Sequence, residues 1–406
     1  MRLSTIFTLL IVIGVGWAAS LVPRRGTHAA VFKQICDLVS EKFYRNDSEL
    51  DAWIKRCHEN AKKVGFGWDR NRFLQEVQYG LDDFQVSHLM IYDPVEDRRL
   101  WRGEAVDTGL RARLVEGRVV VHEVIENSPA ALSEVRAGDE LLSVDGEAVR
   151  SAWSAQASSG KFHFRRGPQD LYIFIEPKVL RIDRAPTVRS LSGELGWLQI
   201  SSFRGEYFKA EDWKKVVQEI SGYKKLILDL RENSGGNLVA MLRAMSPFFC
   251  EPTTVGSLSQ PRRPQEKGPA PEDNLDEMAQ LALLEKFRTV PLNTFVGYGC
   301  LKMPVTVLID GGTASVSEIL AQAMLVRPQT RVWGRASAGD VLLATWYGLP
   351  LLGYGYSLSI PEALYLTLSG DSLEGAGVWP QQELNYDLKE ALAGKDSWLV
   401  RAQQSF

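Results

Sequence analysis

The chain is poor in histidine and cysteine, with five of the one and four of the other among 406 residues. No CxxC pair occurs, so neither a zinc ribbon nor a dithiol redox site is on offer. Any chemistry that turns on imidazole has only five places to come from. An excess of charge of one sign is missing as well. The 47 basic side chains face 50 acidic ones, the net charge is −3 and no long basic run occurs, which argues against nucleic acid as a partner. There is no internal repeat. What remains is an ordinary globular composition, 45% hydrophobic and 24% charged, long enough for two or three domains with buried cores.

No apolar run reaches the ~20 residues that a membrane-spanning helix needs. The longest lies in "MRLSTIFTLLIVIGVGWAASLVPRRG", where Arg2 precedes an apolar stretch from about Ile6 to Ala19 that ends in Ala18, Ala19 and Ser20. That is the layout of a secretory signal peptide over residues 1–22. An uncleaved anchor is the other reading, and only then would the chain contact a membrane. Export, to the periplasm or out of the cell, is the expectation. An oxidising compartment permits two disulfides, most simply Cys36–Cys57 and Cys250–Cys300; four buried free thiols are the alternative.

Residues 28–100 read as an N-terminal helical region leading into the core. Val31, Ile35, Leu38, Val39 and Phe43 recur at helical spacing, Ser48 is placed to cap a second helix, and a third runs around Asn71–Gly80. Residues 103–178 change texture to short β-branched runs broken by Gly, Pro, Asp and Asn. Within them "ENSPAALSEVRAGDELLSVDGEAV" resembles the PDZ signature. The resemblance implies a β-rich module whose loop at Thr108, Gly109 and Leu110 takes a peptide's terminal carboxylate. The strand Gly109–Leu114 would then pair with the bound chain end.

From residue 188 to 406, apolar strands break into glycine-rich loops followed by helices, first at "LILDLRENSGGNLVAML" and again at "VTVLIDGGTASVSEILAQAML". This repetition points to an α/β layer of mostly parallel strands. Residues 251–292, rich in proline and charge, read as a surface insertion with one short helix. The tail "LKEALAGKDSWLVRAQQSF" closes with an amphipathic helix.

Ser315 falls where the second apolar strand turns into a helix. Free N–H groups and the positive end of the helix dipole there stabilise a developing oxyanion. Ser315 to Glu318 also spells a capping box, S-x-x-E, so the bland reading is a helix cap. The order of "LILDLRENSGG", "IDGGTASVSEIL" and "LEGAGVWPQQEL" after a PDZ-like module resembles the C-terminal processing (tail-specific) serine peptidases, from about residue 30 to the end. That resemblance implies a crotonase/ClpP-like α/β core, with Ser315 as nucleophile. It also implies an oxyanion hole from the N–H groups of Val316 and of Gly235 or Gly236.

One position departs from that family. Where its lysine base is expected, "GRASAGDVLL" carries Asp340, a poor substitute for a neutral amine beside an oxyanion. The tricorn-like branch of the same superfamily uses histidine in a Ser-His pair ahead of the PDZ module, with a late glutamate. "VSHL" and "LEGAGVWPQ" are similar to those segments. By that similarity His88 is the general base, with Ser87 and Glu374 as its orienting partners. Glu374 could equally cap the turn before Gly375 and Gly377, and Glu318 could do no more than cap its helix. His28, His58, His122 and His163 show no partner pattern.

The expected function is a serine endopeptidase acting on polypeptides, presented through a free C-terminus, with no metal, nucleotide or other cofactor implied. An oligomer is left open. The rival is a catalytically inactive homologue that binds peptides or a small apolar ligand. A third option keeps activity with another base, Asp340 or a residue from a second subunit.

Overall fold

A computed structural model describes residues 25–64, 69–151 and 156–406. The signal-peptide or anchor reading of residues 1–22 lies outside the described residues. Among the described residues no helix is long and apolar enough to cross a membrane. The chain divides into two compact units, the first running to Pro94 and taking in Ala344–Glu362, the second holding the rest.

In the first unit, helices α1 (Arg25–Lys42), α2 (Ser48–Ala61) and α3 (Arg70–Leu81) form because each carries an apolar stripe at helical spacing. Val31, Ile35 and Val39 of α1, with Phe43 just beyond its end, meet Trp53 of α2, Phe73 and Val77 of α3, and Leu349, Leu358 and Ile360 from the returning segment. The cap of α2 is one residue earlier than the sequence suggested. The Asp47 carboxylate accepts the Leu50 N–H at 3.0 Å, and Ser48 is already helical. A Cys36–Cys57 disulfide ties α1 to α2, closing a separation of 21 residues, a constraint of about 3 kcal/mol on the unfolded chain. The short strand Met90–Tyr92 pairs antiparallel with Ser357–Ser359.

The second unit opens with an antiparallel sheet. Strand β1 (Leu110–Val115) lies at its edge beside β2 (Arg118–Val124), followed in space by Glu140–Val144, Gly160–Arg166 and Gln169–Ile175. Alternate residues Leu110, Val119, Val121, Phe162 and Phe164 fill its small core with Ala130. Ser128 caps the one-turn helix Pro129–Leu132 by accepting the Ala131 N–H, so the Ser-Pro-Ala signature is a helix start.

Four parallel strands follow: β3 (Leu195–Gln199), β4 (Lys225–Asp229), β5 (Val305–Ile309) and β6 (Thr330–Gly334), flanked by Thr187–Ser192 and Gln382–Glu383. The central strands β4 and β5 are almost wholly buried because both faces are covered. Leu226, Leu228, Val305 and Val307 face helices α4 (Leu238–Phe249) and α5 (Val316–Leu325) through Met241, Met245 and Leu320. Ile227 and Leu308 face the other way, onto Trp398 and Ala402. The tail that supplies these two residues is two short helices, Leu388–Leu392 and Ser397–Gln403, rather than one. The break is Gly394, at φ 71°, where an added Cβ would lie 2.9 Å from the Ala137 carbonyl oxygen. The antiparallel sheet approaches the parallel one too closely there for any side chain.

Residues 251–292 do more than lie on the surface. Thr254–Ser259 pairs with Phe287–Asn293, and Val255, Leu258, Leu284, Val290 and Leu292 join the main core. The two strands are far apart in sequence, with a helix, Glu277–Lys286, between them, so neither reads as core by itself. The Cys250–Cys300 disulfide closes the segment.

Candidate active site

Strands β4 and β5 are neighbours, and both end in loops that lead into helices at the carboxyl edge of the parallel strands, where α/β layers hold their ligands. The loop after β5 carries Ser315 with φ 59° and ψ −132°, a backbone conformation that L-residues adopt only under constraint. Three bonds supply the constraint. The Ser315 N–H is shared between the Asp340 carbonyl at 2.9 Å and the Glu318 carboxylate at 3.0 Å, and the Ala314 N–H donates to the Asn233 carbonyl at 3.0 Å.

The pattern of a capping box is therefore present, but the hydroxyl is not spent on it. The Ser315 side chain lies opposite the Glu318 N–H as in a capping box, but the hydrogen bond that this N–H makes is to the Ser315 carbonyl, at 2.9 Å. Ser315 Oγ stays available at the head of α5. The next residue, Val316, has an N–H that no described residue accepts.

The loop after β4 lies against this serine. A Cβ added at Gly235 would stand 2.7 Å from Ser315 Cβ and 3.1 Å from its Oγ, so only glycine lets the backbone approach. The two candidate glycines differ in one respect. Gly235 N–H is donated to Asn233 Oδ1 at 2.9 Å, whereas no described residue accepts the N–H of Gly236. Gly236 is thus the better oxyanion donor of the pair. Asn233, which sequence reasoning passed over, builds the turn: its Nδ2 donates to the Ile200 carbonyl at 2.9 Å. An Asn two residues before Gly-Gly was the available signal, since its side chain bonds its own backbone two residues on.

Two more loops close on Ser315. Glu318 is fully buried; its Oε1 accepts the Ser337 hydroxyl at 2.6 Å and the Gly339 N–H at 2.8 Å, and its Oε2 accepts the N–H groups of Ser315 and Asp340 at 3.0 Å each. Burial pushes this carboxyl up, and the four donors pull it back. Glu374 Oε2 accepts the N–H groups of Val341 at 2.9 Å and Leu342 at 3.2 Å, bracing the loop where a lysine was expected. Asp340, which stands at that lysine position, is exposed. Ser87 and His88 belong to the first unit, in a turn just before Met90–Tyr92, with His88 at φ 60°. Ser315 and His88 are both non-glycine residues with positive φ, a feature that gathers at functional sites.

Of the remaining histidines, His28 stacks on Phe73, His58 lies 3.4 Å from Asp37, and His163 pairs with Asp170 at 3.0 Å. His122 is different, and no motif pointed to it. From β2 it stands 3.5 Å from Glu232, which Arg113 of β1 approaches at 3.3 Å. Glu232 immediately precedes Asn233 in the same loop and donates its N–H to Asp310 at 2.9 Å, so the antiparallel sheet rests on the loops around Ser315. Burial, with Arg113 and Arg231 nearby, holds the His122 imidazole well below its usual range and hence neutral at pH 7.

The peptide loop departs from expectation. Its N–H groups are all used within the chain: Thr108 donates to the Gln156 carbonyl at 2.7 Å, Gly109 to Asp107 at 2.6 Å and Leu110 to the Thr108 hydroxyl at 3.3 Å. In this conformation no donor is left for a carboxylate. Strand β1 keeps its edge position.

A β-rich module ahead of a parallel layer with a strained serine at a strand–helix turn defines a two-domain α/β chain of the serine-nucleophile kind. Residues 194–384 match peptidase family S41 and residues 106–164 match a PDZ domain. The chain carries a peptidase family S41 domain preceded by a PDZ domain.

It is similar to the carboxy-terminal-processing protease of Bartonella bacilliformis, 25% identical over 321 residues, covering 74% of this chain and 66% of that one. It is also similar to the chloroplastic carboxyl-terminal-processing peptidase 3 of Arabidopsis thaliana, 23% identical over 305 residues, covering 69% and 53%. The chain thus spans about half to two thirds of these curated relatives. Among solved structures, the photosystem II D1 C-terminal processing protease superposes with a TM-score of 0.54 at 18% identity, covering 91% of this chain and 98% of that one. Mature CPAF gives 0.57 at 12%, covering 93% and 97%, and the tricorn protease 0.52 at 15%, covering 93% and 36%. At such identities these likenesses establish the fold alone.

Proposed function

We propose that the protein is an exported serine endopeptidase that cleaves polypeptides through an acyl-enzyme. The observation that carries this reading is the Ser315 turn. The hydroxyl makes no cap bond, the backbone is held at a strained φ, and two neighbouring N–H groups, on Val316 and Gly236, await an acceptor. In the proposed reaction Ser315 Oγ attacks the scissile carbonyl as His88 takes its proton, and the oxyanion falls to Val316 and Gly236. Collapse breaks the C–N bond and expels the amine, which receives that proton from His88. Water, deprotonated by the same base, then releases the acyl group. Ser87 and Glu374 are assigned to orienting the imidazole. The two disulfides support an oxidising compartment, in keeping with export.

The test is labelling with a fluorophosphonate, which reacts with an activated serine whatever the substrate. Wild type should label and Ser315→Ala should not. No serine-dependent labelling would favour the inactive homologue.

Polypeptide capture is assigned to the edge of β1, by strand addition. Because the Thr108, Gly109 and Leu110 N–H groups are already bonded, pairing along the strand should contribute more than the carboxylate does. A peptide and its C-terminally amidated twin are therefore expected to bind within about threefold of each other, roughly 0.6 kcal/mol. A loss of tenfold or more on amidation, measured by titration, would show that the loop opens to take the carboxylate.

A further inference from the structure

We infer that Glu318 is a positioning residue for the Ser315 nucleophile, holding the backbone of three loops in register through one buried carboxylate; the inference rests on the reading of Ser315 just given. A helix cap alone needs a single bond from such a side chain, to the N–H of the cap residue. Glu318 makes that bond and three more, to Ser337, Gly339 and Asp340 on a loop more than 15 residues further along the chain. Ser337 Oγ passes the connection on by accepting the Val378 N–H at 2.6 Å, four residues beyond Glu374. The loops of the nucleophile, of Asp340 and of Glu374 therefore meet at one side chain.

The chemistry of that knot is restrictive. Each carboxylate oxygen receives two donors, an arrangement that only the ionised form can accept, because a proton on either oxygen would face N–H or O–H groups already pointing at it. No cation pairs with Glu318 among the described residues. Burial is what raises its pKa, and only the four hydrogen bonds offset it. A buried carboxylate without a countercharge is costly, so a cap would be better made by an exposed one. Its bonds fall on Ser315 itself and on Asp340, whose carbonyl holds the other half of the shared Ser315 N–H. With the N–H fixed from two sides, the left-handed φ follows, and Ser315 Oγ is turned away from the cap bond that would disable it.

The experiment is the rate of fluorophosphonate labelling against pH for the full chain as wild type, Glu318→Gln, Ser337→Ala and Ser315→Ala. Melting midpoints and the KM for an unfolded protein substrate are measured alongside. Glu318→Gln turns one acceptor oxygen into a donor facing two N–H groups. Labelling should slow on the order of a hundredfold while KM stays within about threefold, since the displacement falls on the reacting atom and not on substrate contacts. Ser337→Ala removes one of the donors that favour the ionised form, so the acid limb that Glu318 sets in the labelling profile, separate from the limb set by His88, should move to higher pH.

A Glu318→Gln protein that labels as fast as wild type would overturn the proposal. So would slowing no greater than its unfolded fraction accounts for, or an unmoved limb in Ser337→Ala. If Glu318→Gln does not fold, the Ser337→Ala limb decides alone. If wild type labels no faster than Ser315→Ala, the nucleophile reading itself has failed, and this inference goes with it.

Discussion

Ser315→Ala is expected to abolish cleavage of an unfolded protein, by roughly a millionfold, with the fold retained. The hydroxyl contributes no hydrogen bond to the site's scaffold. The bonds that hold the turn use the Ser315 N–H and carbonyl, which alanine keeps. Melting should be close to wild type for the same reason. Ser317, two residues on, is the natural alternative nucleophile, but it is fully buried inside the first turn of α5 and presents nothing to a substrate. Activity surviving in Ser315→Ala, assayed by release of fragments from a labelled unfolded protein, would send the search elsewhere along the loop.

The second large effect is expected at His88. If its imidazole is the base, kcat/KM rises with pH as the ring loses its proton, because only the neutral ring can accept the Ser315 proton. His88→Ala should then lose nearly as much as Ser315→Ala, since the two act as one unit. Asp340→Ala should be mild by comparison. What Asp340 gives the site is a carbonyl to Ser315 and an N–H to Glu318, both of which survive the change. The reverse pattern, an active His88→Ala and a dead Asp340→Ala, would return the base to the position that lysine occupies in the Ser-Lys branch. Two silent variants would leave a base from a second subunit.

Much of this architecture was legible because it is local. Helical spacing marked α1 to α3, and continuous apolar runs marked β4 and β5, since each pattern repeats within a dozen residues. The serine turn was legible for the same reason, as a strand, a glycine pair and a helix start in one breath of sequence. What stayed hidden depends on partners far along the chain. Val255 and Val290 look like loop residues until their strands pair. Which glycine keeps its N–H open depends on where Asn233 turns its side chain. Glu318 reads as a cap because its first bond is a cap; the other three go to residues that no spacing rule connects to it. His122 meets Glu232 across two domains, and only the tertiary structure brings the pair together.

The backbone at Ser315 has one further consequence. Glycine is the residue that φ 59° and ψ −132° favour, and Ser315→Gly should raise the melting midpoint, on the order of 1 kcal/mol in stability, while leaving no nucleophile. Differential scanning calorimetry of the two proteins reads this directly. Selection for folding alone would favour glycine over serine at this position. In the proposed peptidase the hydroxyl is what offsets that disadvantage, so stability and chemistry pull in opposite directions at a single backbone position.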